Sequence, residues 1–199
     1  LPQAKSDVTD HLDAGYGLNQ LVPVTLRSVR RTRWTVGALL DTPAEPLRWV
    51  FPGMIPEGLT LLVGAPKVGK SWWNIDLMVA LASGRPDQVF SFGQTVDPTP
   101  SLYLALEDSH RRVQSRMRQV SKGIRIHKAR AGDIWLDLPA IGKGRREEIE
   151  RWLELNPDAR CVMVDVLAKV RGEPSEAAGM YQSDYEAVGL LKEIADDYG

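Results

Sequence analysis

The sequence predicts an α/β fold of three layers, a mostly parallel sheet with helices on both faces, and three observations predict it. Short apolar runs, LTLLV (59–63), LYLALE (102–107), DIWLDL (133–138) and CVMVDVLA (161–168), alternate with segments whose apolar residues recur at helical spacing. A glycine loop, GAPKVGKS (64–71), joins the first run to the first helical segment. The last run carries an acid, Asp165, at the edge where a parallel sheet presents its ligands. Alternation of this kind builds βαβ units, whose right-handed crossovers lay helices on both sides of the sheet.

The elements follow in order. Residues 1–48 carry Pro, Gly and Arg without a sustained period, RSVRRTRW (27–34) being their one dense feature, and read as an irregular extension before a core at 49–199. Pro52, Gly53, Pro56 and Gly58 lead into Leu59–Val63, which reads as a short buried strand. Ile75, Met78, Val79 and Ala82 mark one face of the next helix, which Gly84 and Pro86 stop. LYLALE is a second buried strand, and Ser109 is the N-cap of a basic helix, SHRRVQSRMRQV. DIWLDL reads as a third strand, GRREEIERWLEL as a helix with Ile149, Trp152 and Leu153 on one face, and CVMVDVLA as a fourth strand. The final helix is expected to start on a cap at Ser183 or Asp184 and to end at Gly199, with a fifth strand after it.

Composition narrows the function classes. The 199 residues are 43% hydrophobic and 26% charged with a net charge of −1, an ordinary globular balance with no global field toward nucleic acid or membrane. The single cysteine, Cys161, forms no intrachain disulfide and reads as a small hydrophobe, so a reducing, cytoplasmic setting is expected. No apolar run approaches the ~20 residues of a membrane span. The N-terminus lacks the form of a secretory signal and opens on Leu1 rather than Met, which reads as a piece of a longer chain.

GAPKVGKS matches G-x-x-x-x-G-K-[ST] at every specified position, in the strand-to-helix setting its chemistry requires. Gly64 and Gly69 let the backbone pass close to phosphate oxygens, and the helix N-terminus adds partial positive charge. Ala65, Pro66, Lys67 and Val68 complete the wrap around a nucleotide's phosphates, Lys67 with a solvated side chain, and Trp72, next on the helix, is counted with them as nucleotide-binding. Lys70 reaches the β- and γ-phosphates, and the Ser71 hydroxyl takes Mg²⁺. The alternative is a plain left-handed turn joining a strand to a helix. Asp165 reads as a magnesium ligand through water, although an Asp at a strand end also serves as an ordinary helix cap. Val166, not Glu, follows it, so the carboxylate that activates water is sought at the tip of LYLALE: Glu107, with Asp108 in reserve. The competing reading makes Glu107, Asp108 and Ser109 the acid and cap of the next helix.

These residues resemble RecA-superfamily ATPases, in the AAA-type branch close to plasmid replication helicases of the RepA kind. The resemblance covers roughly residues 34–199 and rests on WVFPGMIPEGLTLLVGAPKVGKS, LYLALEDS, the GRP after the first helix, CVMVDVLAKV and YEAVGLLKEIADDYG. It implies magnesium-dependent ATP binding and hydrolysis, with Lys70 and Ser71 on phosphate and metal, Glu107 on the attacking water and Asp165 on the metal. It also implies a homo-oligomeric ring, such as a hexamer, acting on single-stranded DNA in replication or recombination. Members continue past DDYG into a strand with a γ-phosphate-sensing His and into arginines used across subunits. His11, His110 and His127 do not stand there, so this chain is expected to lack those C-terminal strands.

Two other functions fit the same loop: an ATP-binding assembly or regulatory module with little hydrolysis, and a small-molecule kinase with an arginine-rich lid at 111–130. Between Ser109 and Gly132 stand eight Lys or Arg and no acid, whereas from Glu147 onward 13 acids face 5 bases. The asymmetry reads as a DNA-tracking surface, as complementary subunit faces, or as solvated helices. Trp72, Trp73 and Trp152 are read as core packing rather than stacking platforms.

Overall fold

A computed structural model describes residues 33–83, 89–90, 94–124, 126, 132–138, 144–171 and 180–198. Two units divide the chain, 1–34 and 35–199, and every element below belongs to the second. The Gly84 and Pro86 stop, most of RSVRRTRW, His11, His127, Arg125, Lys128, Arg130 and the Gly199 end lie outside the described residues.

A short helix, α1 (Val36–Asp41), stands within the segment read as irregular. Thr35 caps it by accepting from the Ala38 amide, and it buries no residue. An antiparallel hairpin follows, β1 (Trp49–Phe51) with β2 (Ile55–Pro56). Its Pro-Gly turn places Gly53 at φ 76°, and the Met54 amide closes onto the Phe51 carbonyl at 3.0 Å. Phe51 is fully buried and meets Trp73 edge-on, with ring centroids 6.3 Å apart, so the hairpin is pinned to the helix that leaves the glycine loop.

That helix, α2 (Lys70–Ala82), carries the expected apolar residues and more: Ile75 and every residue from Leu77 to Ala82 are buried. A helix apolar on nearly all sides belongs inside a layered core, not at its margin. A second hairpin, β3 (Val89–Phe90) with β4 (Gln94–Thr95), precedes the main sheet and has no counterpart among the sequence expectations.

The main sheet is parallel, with strand order β6-β5-β7: β5 (Ser101–Ala105) lies between β6 (Asp133–Trp135) and β7 (Cys161–Asp165). In register, Leu102 opposes Asp133 on one side, and Ala105 opposes Asp165 on the other. All five residues of β5 are buried, as a central strand covered on both faces requires. Period-2 alternation sorts the side chains. Tyr103, Ala105 and Met163 join Ile75, Met78 and Val79 of α2 and Val113 of α3 (His110–Val120). Leu102 and Leu104 join Ile149, Trp152 and Leu153 of α4 (Arg145–Leu155) and Ile194 of α6 (Met180–Tyr198). Helices therefore cover both faces, and the Trp152 indole donates to Asp133 at 2.6 Å, tying α4 to the start of β6. After β7 the described residues form one short helix, α5 (Leu167–Val170).

Two expectations are corrected. Leu59–Val63 is not a buried strand: it pairs with no described strand, and Leu61, Leu62 and Val63 are 56%, 49% and 87% exposed. An apolar β-branched run becomes a strand only against a partner edge, and none of the described strands offers it one. The final helix starts at Met180, so Ser183 and Asp184 lie inside its first turns rather than capping it. Ser183 is buried, and Asp184 accepts from the Arg171 guanidinium at 2.9 Å, a tertiary contact in place of a cap.

Candidate functional site

The loop from Gly64 to Ser71 makes its turn with two left-handed residues, Lys67 at φ 67° and Gly69 at φ 103°. Gly69 is the N-cap of α2, and left-handed backbone next to a helix N-terminus turns amide groups into an anion-binding concavity. The other specified glycine is tight for space: a Cβ on Gly64 would meet Val68 Cγ2 at 3.2 Å and Lys70 Cδ at 3.9 Å. Lys70 curls back over the loop, its ammonium donating to the Gly64 carbonyl at 2.7 Å and the Ala65 carbonyl at 2.9 Å. An ammonium has three protons, and these two contacts leave one for a ligand.

At the mouth of the loop lies a cavity of about 370 Å³ lined by Ser71, Leu106, Glu107, Asp108, Arg112, Arg116, Asp165 and Lys169. Three expected site residues, Ser71, Glu107 and Asp165, thus come together from three elements: the first turn of α2, the loop after β5 and the end of β7. The parallel pairing of β5 with β7 brings the latter two to one edge, extended by the Leu106 amide donating to the Asp165 carbonyl at 2.8 Å. A hydroxyl, a carboxylate and room for water make a hard-oxygen donor set, which fits Mg²⁺ and needs no denser cage. Among the described residues no group of three or more His, Cys, Asp or Glu is arranged to hold a metal ion.

The two acids after β5 differ. Glu107 is exposed and makes no hydrogen bond or ion pair with any described residue. Asp108, the reserve base of the sequence reading, is 8% exposed at its side chain and committed: Oδ1 accepts from Arg112 at 3.0 Å and Oδ2 from Arg116 at 2.5 Å. Ser109 caps α3 as expected, accepting from the Arg112 amide at 3.4 Å. Arg116 also lies over the Trp72 ring, 5.5 Å from its centroid. Trp72 is therefore not the core residue anticipated: it is 40% exposed and supports a guanidinium, whereas Trp73 and Trp152 do pack into the cores. Asp108→Asn is expected to lower stability by about 1–2 kcal/mol, since Arg112 is largely exposed and only Arg116 is well shielded. A urea melt checks this, and an unchanged midpoint would show that the pairing contributes nothing.

Arg116 is shielded where it pairs with Asp108, which removes one base from the segment read as a DNA-tracking face, and Arg112, though exposed, is engaged by the same carboxylate. Arg111, Arg118 and Lys122 stay exposed. The acidic C-terminal part is partly neutralised from within as well: Arg146 donates to Glu150 at 2.9 Å, Glu193 at 2.5 Å and Asp197 at 3.1 Å, fastening α4 to α6.

Sequence reasoning missed two residues around the site. Tyr103 is fully buried, and its hydroxyl donates to Asp165 Oδ2 at 2.9 Å. Burial, then the neighbouring Asp165 carboxylate, hold its phenol well above the ordinary range, so it stays a donor. The signal was a tyrosine in an otherwise aliphatic strand. Arg145, 4% exposed, donates to the Lys169 carbonyl at 3.3 Å and so braces α5 behind the cavity; burial lowers its pKa. Its place at the head of an amphipathic helix gave no hint of burial.

No described helix is long and apolar enough to cross a membrane. Comparison with known proteins gives one family: a model described as an AAA domain matches residues 25–199. No curated protein matches the chain, and no solved structure does. The matched span takes in the glycine loop, the parallel sheet and the cavity between them, and the chain belongs to the AAA-domain family of phosphate-loop ATPases.

Proposed function

We propose that the protein binds ATP with magnesium and hydrolyses it as a RecA-like ATPase of the plasmid-replication kind, a motor or helicase on single-stranded DNA. The observation that carries this reading is the shared cavity at the loop's mouth, where Ser71, Glu107 and Asp165 meet. Beside it the loop amides and Lys70 hold the phosphates, and within it Ser71, with Asp165 through water, holds the metal. Bound Mg²⁺ neutralises charge on the β- and γ-phosphate oxygens. Glu107 orients a water in line with the γ-phosphate and accepts its proton. The ATPase core spans 49–199 and works in a cytoplasmic homo-oligomeric ring.

A second reading is favoured by one observation: no described residue fixes the Glu107 carboxylate, as expected of a loop that binds ATP and gates assembly with little turnover. Steady-state ATPase with and without single-stranded DNA separates the two. The motor expects DNA-stimulated turnover that falls about 10²–10⁴-fold in Glu107→Gln, with MgATP binding retained. Tight binding without turnover in either protein supports the module instead.

A further inference from the structure

We propose that Tyr103 is a positioning residue for Asp165, its hydroxyl fixing one carboxylate oxygen so that the other is presented to the metal of a bound nucleotide. The inference rests on the magnesium role given to Asp165 above, and adds a residue that the phosphate-loop motif does not contain.

The two residues are 62 positions apart and meet because of strand register. Tyr103 opposes Met163 across the β5–β7 ladder, and Asp165 stands two residues further along, on the same face of the sheet. The Tyr103 ring lies in the core with Ile75, Met78 and Met163, where phenylalanine would fill nearly the same space. Burying a hydroxyl there costs about 1–3 kcal/mol unless it is bonded, and its single proton goes to Asp165 Oδ2 at 2.9 Å. Among the described residues no donor reaches Oδ1. The Asp165 carbonyl is also held, by the Leu106 amide at 2.8 Å. With the backbone anchored, the remaining freedom of this side chain is rotation of the carboxylate, whose terminal torsion is intrinsically broad. The Tyr103 hydroxyl restricts that rotation. Oδ1 is the oxygen left free, and Asp165 lines the cavity that Ser71 also lines. Partners that orient a direct metal ligand govern metal affinity by 10–100-fold, and since Asp165 acts through water the low end of that range, about tenfold, is expected here.

The test measures binding of Mn²⁺, as a magnetic substitute for Mg²⁺, to the full chain saturated with a non-hydrolysable ATP analogue. Wild type, Tyr103→Phe, Asp165→Asn and the double variant are compared, with thermal melts confirming that each is folded. The expected result is about tenfold weaker Mn²⁺ binding in Tyr103→Phe, unchanged analogue affinity in metal-free buffer, and no added loss when Tyr103→Phe is placed on Asp165→Asn. If Asp165→Asn weakens Mn²⁺ binding and Tyr103→Phe does not, the positioning role is overturned while the magnesium role of Asp165 stands. If wild type shows no metal binding with the analogue, or Asp165→Asn matches wild type, the underlying reading fails and this inference with it. Should Tyr103→Phe not fold, the wild-type protein gives the answer directly. The shielded Tyr103 hydroxyl proton, observed by NMR, shifts on adding Mg²⁺ to the analogue complex if the proposal is right, and stays in place if it is wrong.

Discussion

Lys70→Ala is expected to lower ATP turnover by about 10³-fold, the range seen when one preorganised donor to developing charge is removed from a site. The ammonium stands at the first residue of α2 and reaches back to the carbonyls of Gly64 and Ala65, so it sits within the loop before any phosphate arrives. A triphosphate entering the turn meets a cation already in place, with no reorganisation needed on its account. The loss should be specific to function. Both contacts of the lysine are to exposed loop carbonyls, and the buried part of α2 begins only at Ile75. A melting temperature within about 2 °C of wild type is therefore expected, because exposed substitutions of this kind change stability by about 0.5 kcal/mol or less. Full turnover in Lys70→Ala would remove the loop from the chemistry.

Gly132→Ala is expected to be the most damaging single substitution in the fold. Gly132 precedes β6 at φ 85°, and a Cβ there would land on the backbone of Ser101, overlapping its carbonyl oxygen and its amide nitrogen. Neither partner can withdraw. Ser101 is the fully buried first residue of β5, paired with Cys161 on its other side. Left-handed strain adds to overpacking against a rigid backbone, for a total of about 3 kcal/mol or more. In a domain of this size that corresponds to a fall of roughly 6–12 °C in melting temperature. Gly123→Ala separates the two causes: Gly123 has nearly the same φ, 82°, with open space around it, so it carries the strain alone, about 1 kcal/mol. Equal losses in the two variants would show that the close approach of β6 to β5 is not as tight as described.

What could be read from the sequence follows a physical line. Local chemistry was legible: the glycine loop, the Ser109 cap, the apolar face of α4 and the runs that became β5, β6 and β7 each declare themselves within a few residues. The convergence of Glu107 and Asp165 was legible too, because both stand at strand ends in an alternating chain. Partnership was not. Leu59–Val63 has the composition of a strand, but composition does not say which edge it will meet. Trp72 and Trp73 are neighbours of identical type. The helical turn sends Trp73 to Phe51 and Trp72 to Arg116, a division set by where β1 and α3 pack. The Tyr103–Asp165 bond depends on the register of two strands far apart in sequence, which no local pattern encodes. Asp108 is an intermediate case: its pairing with Arg112 could have been anticipated from the i, i+4 rule, whereas that with Arg116, eight residues on, could not.

The central claim is that the loop at 64–71 is a cradle for the phosphates of a magnesium-bound nucleotide, and calorimetric titration of ATP into the chain tests it most directly. The expected result is single-site heat that depends on magnesium and disappears in Lys70→Ala. Absence of heat in wild type, or the same heat in Lys70→Ala, would contradict it.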